Sequence, residues 1–299
     1  MYDYPPFDLG HLHPSAQQLA RLPDSERIRA DRWIGYPRAL AALDRLETLY
    51  EWPTKQRMPN LLLVGPTNNG KSMIIEKFRR AHPPSSDADQ EQIQVLAVQM
   101  PSDPYVPRFY AGLLASIGAP VRPRQRIAEL ERVALALLRR VGVRMLVIDE
   151  LHNVLAGRDA SRREFLNLLR FLGNELRIPL VGVGTREAYL AIRSDDQLEN
   201  RFEPFTLPLW SEGPDTLSLL ASFASAFPLR SPSPIATEEV AGYLLARSEG
   251  TIGELARLLT EAAVAAVDSG EEAINHRTLS LAAYTGPSER RRQFERELA

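Results

Sequence analysis

The sequence predicts an α/β fold built on a parallel sheet, followed by a smaller all-helical region. Three observations carry this expectation. Short apolar runs alternate with helical patterns up to about residue 210. A glycine-bounded loop, Gly65-Pro66-Thr67-Asn68-Asn69-Gly70-Lys71-Ser72, stands directly after the first of those runs and before a helix. Beyond Trp210 helical patterns continue, and no strong strand follows.

Residues 1–35 contain Pro5, Pro6, Pro14 and Pro23 and read as an extended arm with one short helix after Pro23. Pro37 opens a helix with Leu40, Leu43, Leu46 and Leu49 on one face, and Trp52-Pro53 ends it. The apolar runs Leu61–Val64, Ile93–Val98, Met145–Ile148 and Leu180–Val183, with a weaker fifth at Phe205–Leu209, read as strands covered on both faces. Helices are expected over 71–82, 104–117, 125–141, 161–176 and 186–193. Ser211-Glu212-Gly213-Pro214 breaks this texture. Four further helices are expected over 215–226, 237–248, 252–267 and 276–284, separated by a proline-rich linker, Gly250 and Gly270. The charged tail from Ser288 reads as solvated or as a partner-binding helix. The expected organisation is an N-terminal extension (1–35), a nucleotide-binding αβα core (36–212), a helical lid (213–286) and a tail (287–299).

Composition narrows the function classes. With 299 residues, 44% hydrophobic and 25% charged, the chain can bury a substantial core. It has no cysteine, which removes disulfides, thiolate metal sites and cysteine nucleophiles and fits a reducing, cytoplasmic location. The most apolar stretch, Val133–Leu151, is cut by Arg139, Arg140 and Arg144, so no membrane span is expected. The N-terminus lacks the basic start and apolar stretch of a secretion signal. Net charge is −2 and pI about 6.3, so any nucleic-acid contact must come from a local patch. Lysine occurs only at 55, 71 and 77 among 36 basic residues, which makes the lysine of the loop more telling.

The 65–72 loop fits G-x-x-x-x-G-K-[ST]. Glycines allow a tight bend whose backbone N–H groups, with the helix N-terminus, bind phosphate oxygens. Lys71 would reach the β- and γ-phosphates and Ser72 would hold Mg²⁺. About 80 residues on, Met145-Leu146-Val147-Ile148 runs into Asp149-Glu150. A strand ending in Asp puts that carboxylate at the carboxyl edge of the sheet, where ligands bind. Asp149 would serve the Mg²⁺ shell and Glu150 the attacking water. The fourth strand ends at Gly184-Thr185, so Thr185 would position that water, cap the following helix, or do both. Arg201 in Asn200-Arg201-Phe202 would reach a neighbouring subunit's nucleotide; Arg193 is the fallback, and a salt bridge from Arg201 to Glu199 or Glu203 is the competing reading.

These residues resemble the AAA+ ATPases, and more narrowly the TniB/TnsC group of transposition ATPases. The likeness to TniB rests on Arg32-Trp33-Ile34-Gly35-Tyr36-Pro37, on Leu63 to Ser72, on Asp149-Glu150-Leu151-His152-Asn153-Val154-Leu155-Ala156-Gly157 and on Asn200-Arg201-Phe202. The resemblance implies ATP and Mg²⁺ as cofactors, with Gly65 to Ser72, Asp149 and Glu150 at the nucleotide. It implies a ring or helical filament on double-stranded DNA and a DDE-type transposase as partner, with a TniQ-like adaptor in related systems. One departure stands out. Many lids of this class carry a sensor arginine early in a helix after a glycine; here Gly253 and Glu254 fill that slot and Arg257 comes a turn later, which implies slow turnover.

Between Pro104 and Arg144 eight arginines face two acids, Glu129 and Glu131. The loop holding Arg122, Arg124 and Arg126 suits backbone phosphate contacts, with Arg139 and Arg140 as weaker candidates. No recognition helix is visible, so DNA binding should be sequence-independent and salt-sensitive. The five histidines form no metal constellation, and His152 reads as packing or support for the acidic pair. A protein-remodelling AAA+ ATPase that ignores DNA and a P-loop small-molecule kinase are the rival readings.

Overall fold

The computed structural model describes residues 8–21, 26–29, 32–87, 90–122 and 125–298. In chain order its elements are helices α1 (Pro14–Leu19), α2 (Glu26–Arg29) and α3 (Pro37–Tyr50), then strand β1 (Asn60–Val64) and helix α4 (Lys71–Ala81). A short hairpin of β2 (Ser85–Asp87) and β3 (Gln90–Gln92) precedes β4 (Val95–Gln99), α5 (Val106–Ser116), α6 (Ile127–Arg140) and β5 (Met145–Asp149). A 3-10 turn at Leu151–Ala156 leads to α7 (Asp159–Leu176), β6 (Leu180–Gly184), α8 (Arg186–Arg193), α9 (Asp196–Glu199) and β7 (Phe202–Thr206). The rest is helical: α10 (Pro214–Ala226), α11 (Glu238–Ser248), α12 (Ile252–Asp268), α13 (His276–Leu281) and α14 (Pro287–Glu297).

These elements form two compact units. The sheet unit holds residues 41–67 and 71–208; the helical unit holds the described residues up to Leu40, Asn68–Gly70 and everything from Leu209.

In the sheet unit five parallel strands run in the order β4-β5-β6-β1-β7. All five residues of β1 and of β6 are buried, as are four of five in β5. That is why these strands read as unbroken apolar runs rather than as alternations. Leu62, Leu96, Ile148 and Leu180 join Phe109, Leu113, Leu138 and Phe165 from the covering helices in one core. Asn60 is buried at the start of β1, and its side-chain oxygen accepts the Leu180 N–H at 2.9 Å, so the one polar residue in that strand is satisfied.

The fifth strand differs from expectation. It runs over Phe202–Thr206, three residues earlier than the apolar run suggested, and includes Pro204. Asn60 N–H bonds the Arg201 carbonyl and Leu207 N–H bonds the Val64 carbonyl. By the two-residue repeat, odd positions of β7 face β1 and the Pro204 nitrogen faces away. Proline is tolerated there because β7 is an edge.

In the helical unit the N-terminal segment packs on its own chain. His13 N–H donates to the Ser225 carbonyl. Arg27, 2% exposed, forks both oxygens of Glu272 at 2.6 Å, and Arg32 lies 4.8 Å over the Phe227 ring. Tyr36 meets Trp210 edge-on at 5.0 Å, and burial pushes its phenol up to about 12. Helix α1, which the proline-rich composition masked, thus joins α2 in covering α10 and α12. The tail is the helix α14, and α13 stops at Leu281, short of the expected residue 284.

Candidate functional site

The site starts from β1. Parallel pairing with β6 and β7 fixes the end of β1 so that Gly65 leaves the sheet between Gly184 and Leu207. A Cβ on Gly65 would stand 2.6 Å from the Leu207 carbonyl oxygen, so only glycine fits. The loop then bends through left-handed backbone at Asn68 (φ 60°) and Gly70 (φ 82°) and enters α4 at Lys71. Within the helical unit the Asn68 carbonyl accepts the Gly253 N–H at 3.0 Å, and the Asn69 side chain accepts the Ile252 N–H at 3.3 Å.

Lys71 is 9% exposed and curls back over the loop, donating to the carbonyls of Gly65 (2.8 Å) and Pro66 (2.6 Å). Burial pulls its ammonium below the ordinary value of 10.5, against the opposing pull of Asp149 and Glu150. Ser72 donates its hydroxyl to Asp149 Oδ2 at 3.0 Å. The other Asp149 oxygen accepts the Glu150 N–H at 2.8 Å. Glu150 itself stands in left-handed backbone (φ 57°), a conformation rare for a non-glycine residue and concentrated at functional sites. Lys71, Ser72, Asp149 and Glu150, about 80 residues apart in sequence, therefore share one edge of the sheet.

Thr185 occupies the N-cap position of α8, but its hydroxyl makes no capping bond. It donates instead to Glu187, and this bond is the first cause holding that carboxyl below its usual range. His152, read from the sequence as packing or as support for the acidic pair, places Nε2 3.1 Å from Glu150 Oε2. The legible signal was a histidine two residues after a strand-ending acid pair.

Arg201 lies at the other end of the sheet. Its guanidinium donates to Asn174 Oδ1 at 2.8 Å. The expected alternative, a salt bridge to Glu199 or Glu203, is corrected: those carboxylates pair with Arg193 and Arg45. The fallback Arg193 is thereby engaged. Arg201 also lines a groove of about 780 Å³ with Lys55, Arg57 and Glu203.

Of the arginines considered for DNA, Arg124 lies outside the described residues. Arg122 and Arg126 are exposed beside α6 with no protein partner among the described residues, and so is Arg140. Arg139 is tied to Glu175, and Arg144 lies 4.6 Å over the Tyr50 ring.

Among the described residues no helix is long and apolar enough to cross a membrane, and no cluster of three or more His, Asp or Glu could hold a metal ion. A parallel sheet of this strand order, with a glycine-bounded loop and an acid pair at its carboxyl edge, defines an AAA+ P-loop ATPase, a nucleotide-binding enzyme. Solved structures share the fold. The ORC1 protein of Aeropyrum pernix in complex with DNA matches with a TM-score of 0.59 at 19% identity, over 89% of this chain and 68% of that one. The ORC2 protein of the same organism, in ADPNP–ADP complexes, gives 0.56 at 14%, over 86% and 70%. Domain III of the Thermotoga maritima replication initiation protein DnaA gives 0.53 at 14%, over 91% and 97%. No curated protein matches the chain in sequence. The profile of the bacterial TniB protein matches residues 25–212, and the chain belongs to that family.

Proposed function

We propose that this TniB-family ATPase assembles on double-stranded DNA in its ATP-bound form and recruits or activates a DDE-type transposase at the target site. The observation that carries the reading is the convergence of Lys71, Ser72, Asp149 and Glu150 on one sheet edge in a chain of this family. A TniQ-like adaptor is the further partner this reading allows.

In this reading the loop from Gly65 to Gly70 holds the phosphates, and Lys71 exchanges its two carbonyl partners for phosphate oxygens. Glu150 takes the proton of the attacking water. Thr185, at the tip of the neighbouring strand, helps orient that water. Ser72 and Asp149 fit Mg²⁺: two hard oxygen donors stand 3.0 Å apart, and no cluster of three or more ligating side chains surrounds them among the described residues, which suits an ion that keeps waters and takes phosphate oxygens. When bound, Mg²⁺ would neutralise charge developing on the phosphates.

Arg201 sits just before β7, which pairs with β1 from Asn60 onward. It is therefore a strand length, about 16 Å at roughly 3.3 Å per residue, from its own phosphate loop. It can serve only a neighbour's nucleotide, which supports a head-to-tail oligomer. Arg122 and Arg126, with Arg124 between them, supply the phosphate contacts to DNA. Slow turnover fits the absence of an arginine at Gly253 or Glu254.

Gel shift and negative-stain microscopy with duplex DNA test this. A nonhydrolysable ATP analogue should produce assemblies that ADP does not, weakening as salt rises. Glu150→Gln should keep ATP binding and prolong the DNA-bound state. Absence of ATP-dependent assembly at every salt concentration sinks the DNA reading and favours a protein-remodelling role.

A further inference from the structure

We propose that His152 is the positioning residue for Glu150: its imidazole Nε2 stands beside one carboxylate oxygen, and an N–H turned onto that oxygen during the reaction fixes where the other meets the attacking water. This rests on the reading of Glu150 as the base.

The imidazole is itself held in place. Leu151 and Val154 of the 3-10 turn are fully buried and anchor it. Two glycines of β6 let the turn settle on the strand. A Cβ on Gly182 would stand 2.5 Å from Leu151 Cδ2, and one on Gly184 would stand 3.2 Å from the His152 backbone nitrogen and 3.4 Å from Nδ1. Nδ1 is buried with no partner among the described residues, whereas Nε2 is 3.1 Å from Glu150 Oε2.

Burial decides the tautomer. An unpartnered ring nitrogen is better placed in the interior as a bare acceptor than as an N–H, so the proton belongs on Nε2, facing the carboxylate. The charged groups around the ring are Glu150 itself and, from α8, Glu187, whose carboxyl is occupied by the Thr185 hydroxyl. Lys71, whose ammonium feels Asp149 and Glu150, is the nearby cation. Without His152, the left-handed Glu150 would be free to swing toward Lys71. With it, Oε2 is engaged and Oε1 remains to accept a proton. In the step this serves, the water oxygen bonds to the terminal phosphorus. The bond to the β-phosphate oxygen breaks, with its electron pair leaving on ADP, and the water's proton passes to Oε1.

The test is steady-state ATP hydrolysis and fluorescent-nucleotide binding by the full chain. His152→Ala should lower kcat by about tenfold to a hundredfold, part of the roughly 10²–10⁴ that a general base supplies, while KM and nucleotide Kd change less than about twofold. His152→Gln, whose amide N–H can reach the place of Nε2, should restore most of the loss; the shorter His152→Asn should not. In a Glu150→Gln background, His152→Ala should have no further effect. Wild-type kcat in His152→Ala overturns the proposal. So does an equal loss in the Glu150→Gln background, or a loss of binding that parallels the loss of rate. If Glu150→Gln alone hydrolyses ATP at the wild-type rate, the reading of Glu150 fails first and visibly, and this proposal falls with it.

Discussion

Lys71 carries its charge where burial opposes it. Its folded-state pKa is lowered from 10.5, so between that lowered value and 10.5 the unfolded chain binds more protons than the folded one. Stability contributed by Lys71 is thus fully present above 10.5 and is lost as pH falls through the folded value. At neutral pH the free ammonium is a cost that phosphate oxygens would relieve. Melting curves of wild type and Lys71→Met between about pH 8 and the ordinary lysine range check this. The wild type should gain on the variant as pH rises, and only the wild type should be stabilised by ATP. A difference independent of pH would show that the acid pair cancels burial at this lysine, and one of opposite sign that it outweighs burial.

At the scale of elements, the helical unit is closed by α14. Arg290 donates to Glu254 Oε1 at 2.7 Å, and the Tyr284 hydroxyl donates to Oε2 at 2.9 Å. The Arg290 guanidinium is the first cause holding the Glu254 carboxyl below its usual range of about 4.5. A depressed carboxyl contributes stability above its unfolded value, and loses it as pH falls through the folded one. Arg290→Ala removes the bond to Glu254 and the one to the Thr285 carbonyl, and should therefore lower Tm by about 2–4 °C at neutral pH. The wild type's advantage should shrink as pH falls through the depressed folded-state value, leaving only what the bond from Arg290 to the Thr285 carbonyl contributes. Equal destabilisation at every pH would mean that the pairing with Glu254 contributes nothing. Nothing in the local pattern announced this pair, because 36 residues separate its members. The central strands β1, β5 and β6 were legible because burial on both faces leaves an apolar run. The edge strand β7 was displaced in the reading because only its first residue is buried. The site was legible for the same reason as the strands: the loop and the acid pair each follow a strand directly. The sequence offered His152 either as packing or as support for the acid pair; what it did not show is how the ring is seated, since that depends on two glycines of another strand making room for a 3-10 turn.

For the whole molecule, the polarity of the sheet decides how copies can cooperate. Lys71 and Glu150 stand at the carboxyl edge and Arg201 at the amino edge, so one nucleotide cannot meet both sets from a single chain. An oligomer that completes the site must join unlike edges, and such head-to-tail contacts generate rings or helical filaments rather than closed twofold dimers. Arg201→Ala should then bind ATP and DNA normally yet lose about 10³-fold or more in hydrolysis. Glu150→Gln should be comparably slow for a different reason. Mixed in equal amounts, the two variants would restore the missing pairing wherever an intact Glu150 faces an intact Arg201, at about a quarter of the interfaces under random assembly. Hydrolysis should therefore rise well above that of either variant, peak near equal mixing, and require DNA or whatever else drives assembly. If the mixture hydrolyses only at the sum of its parts while both variants still assemble, Arg201 does not act across an interface.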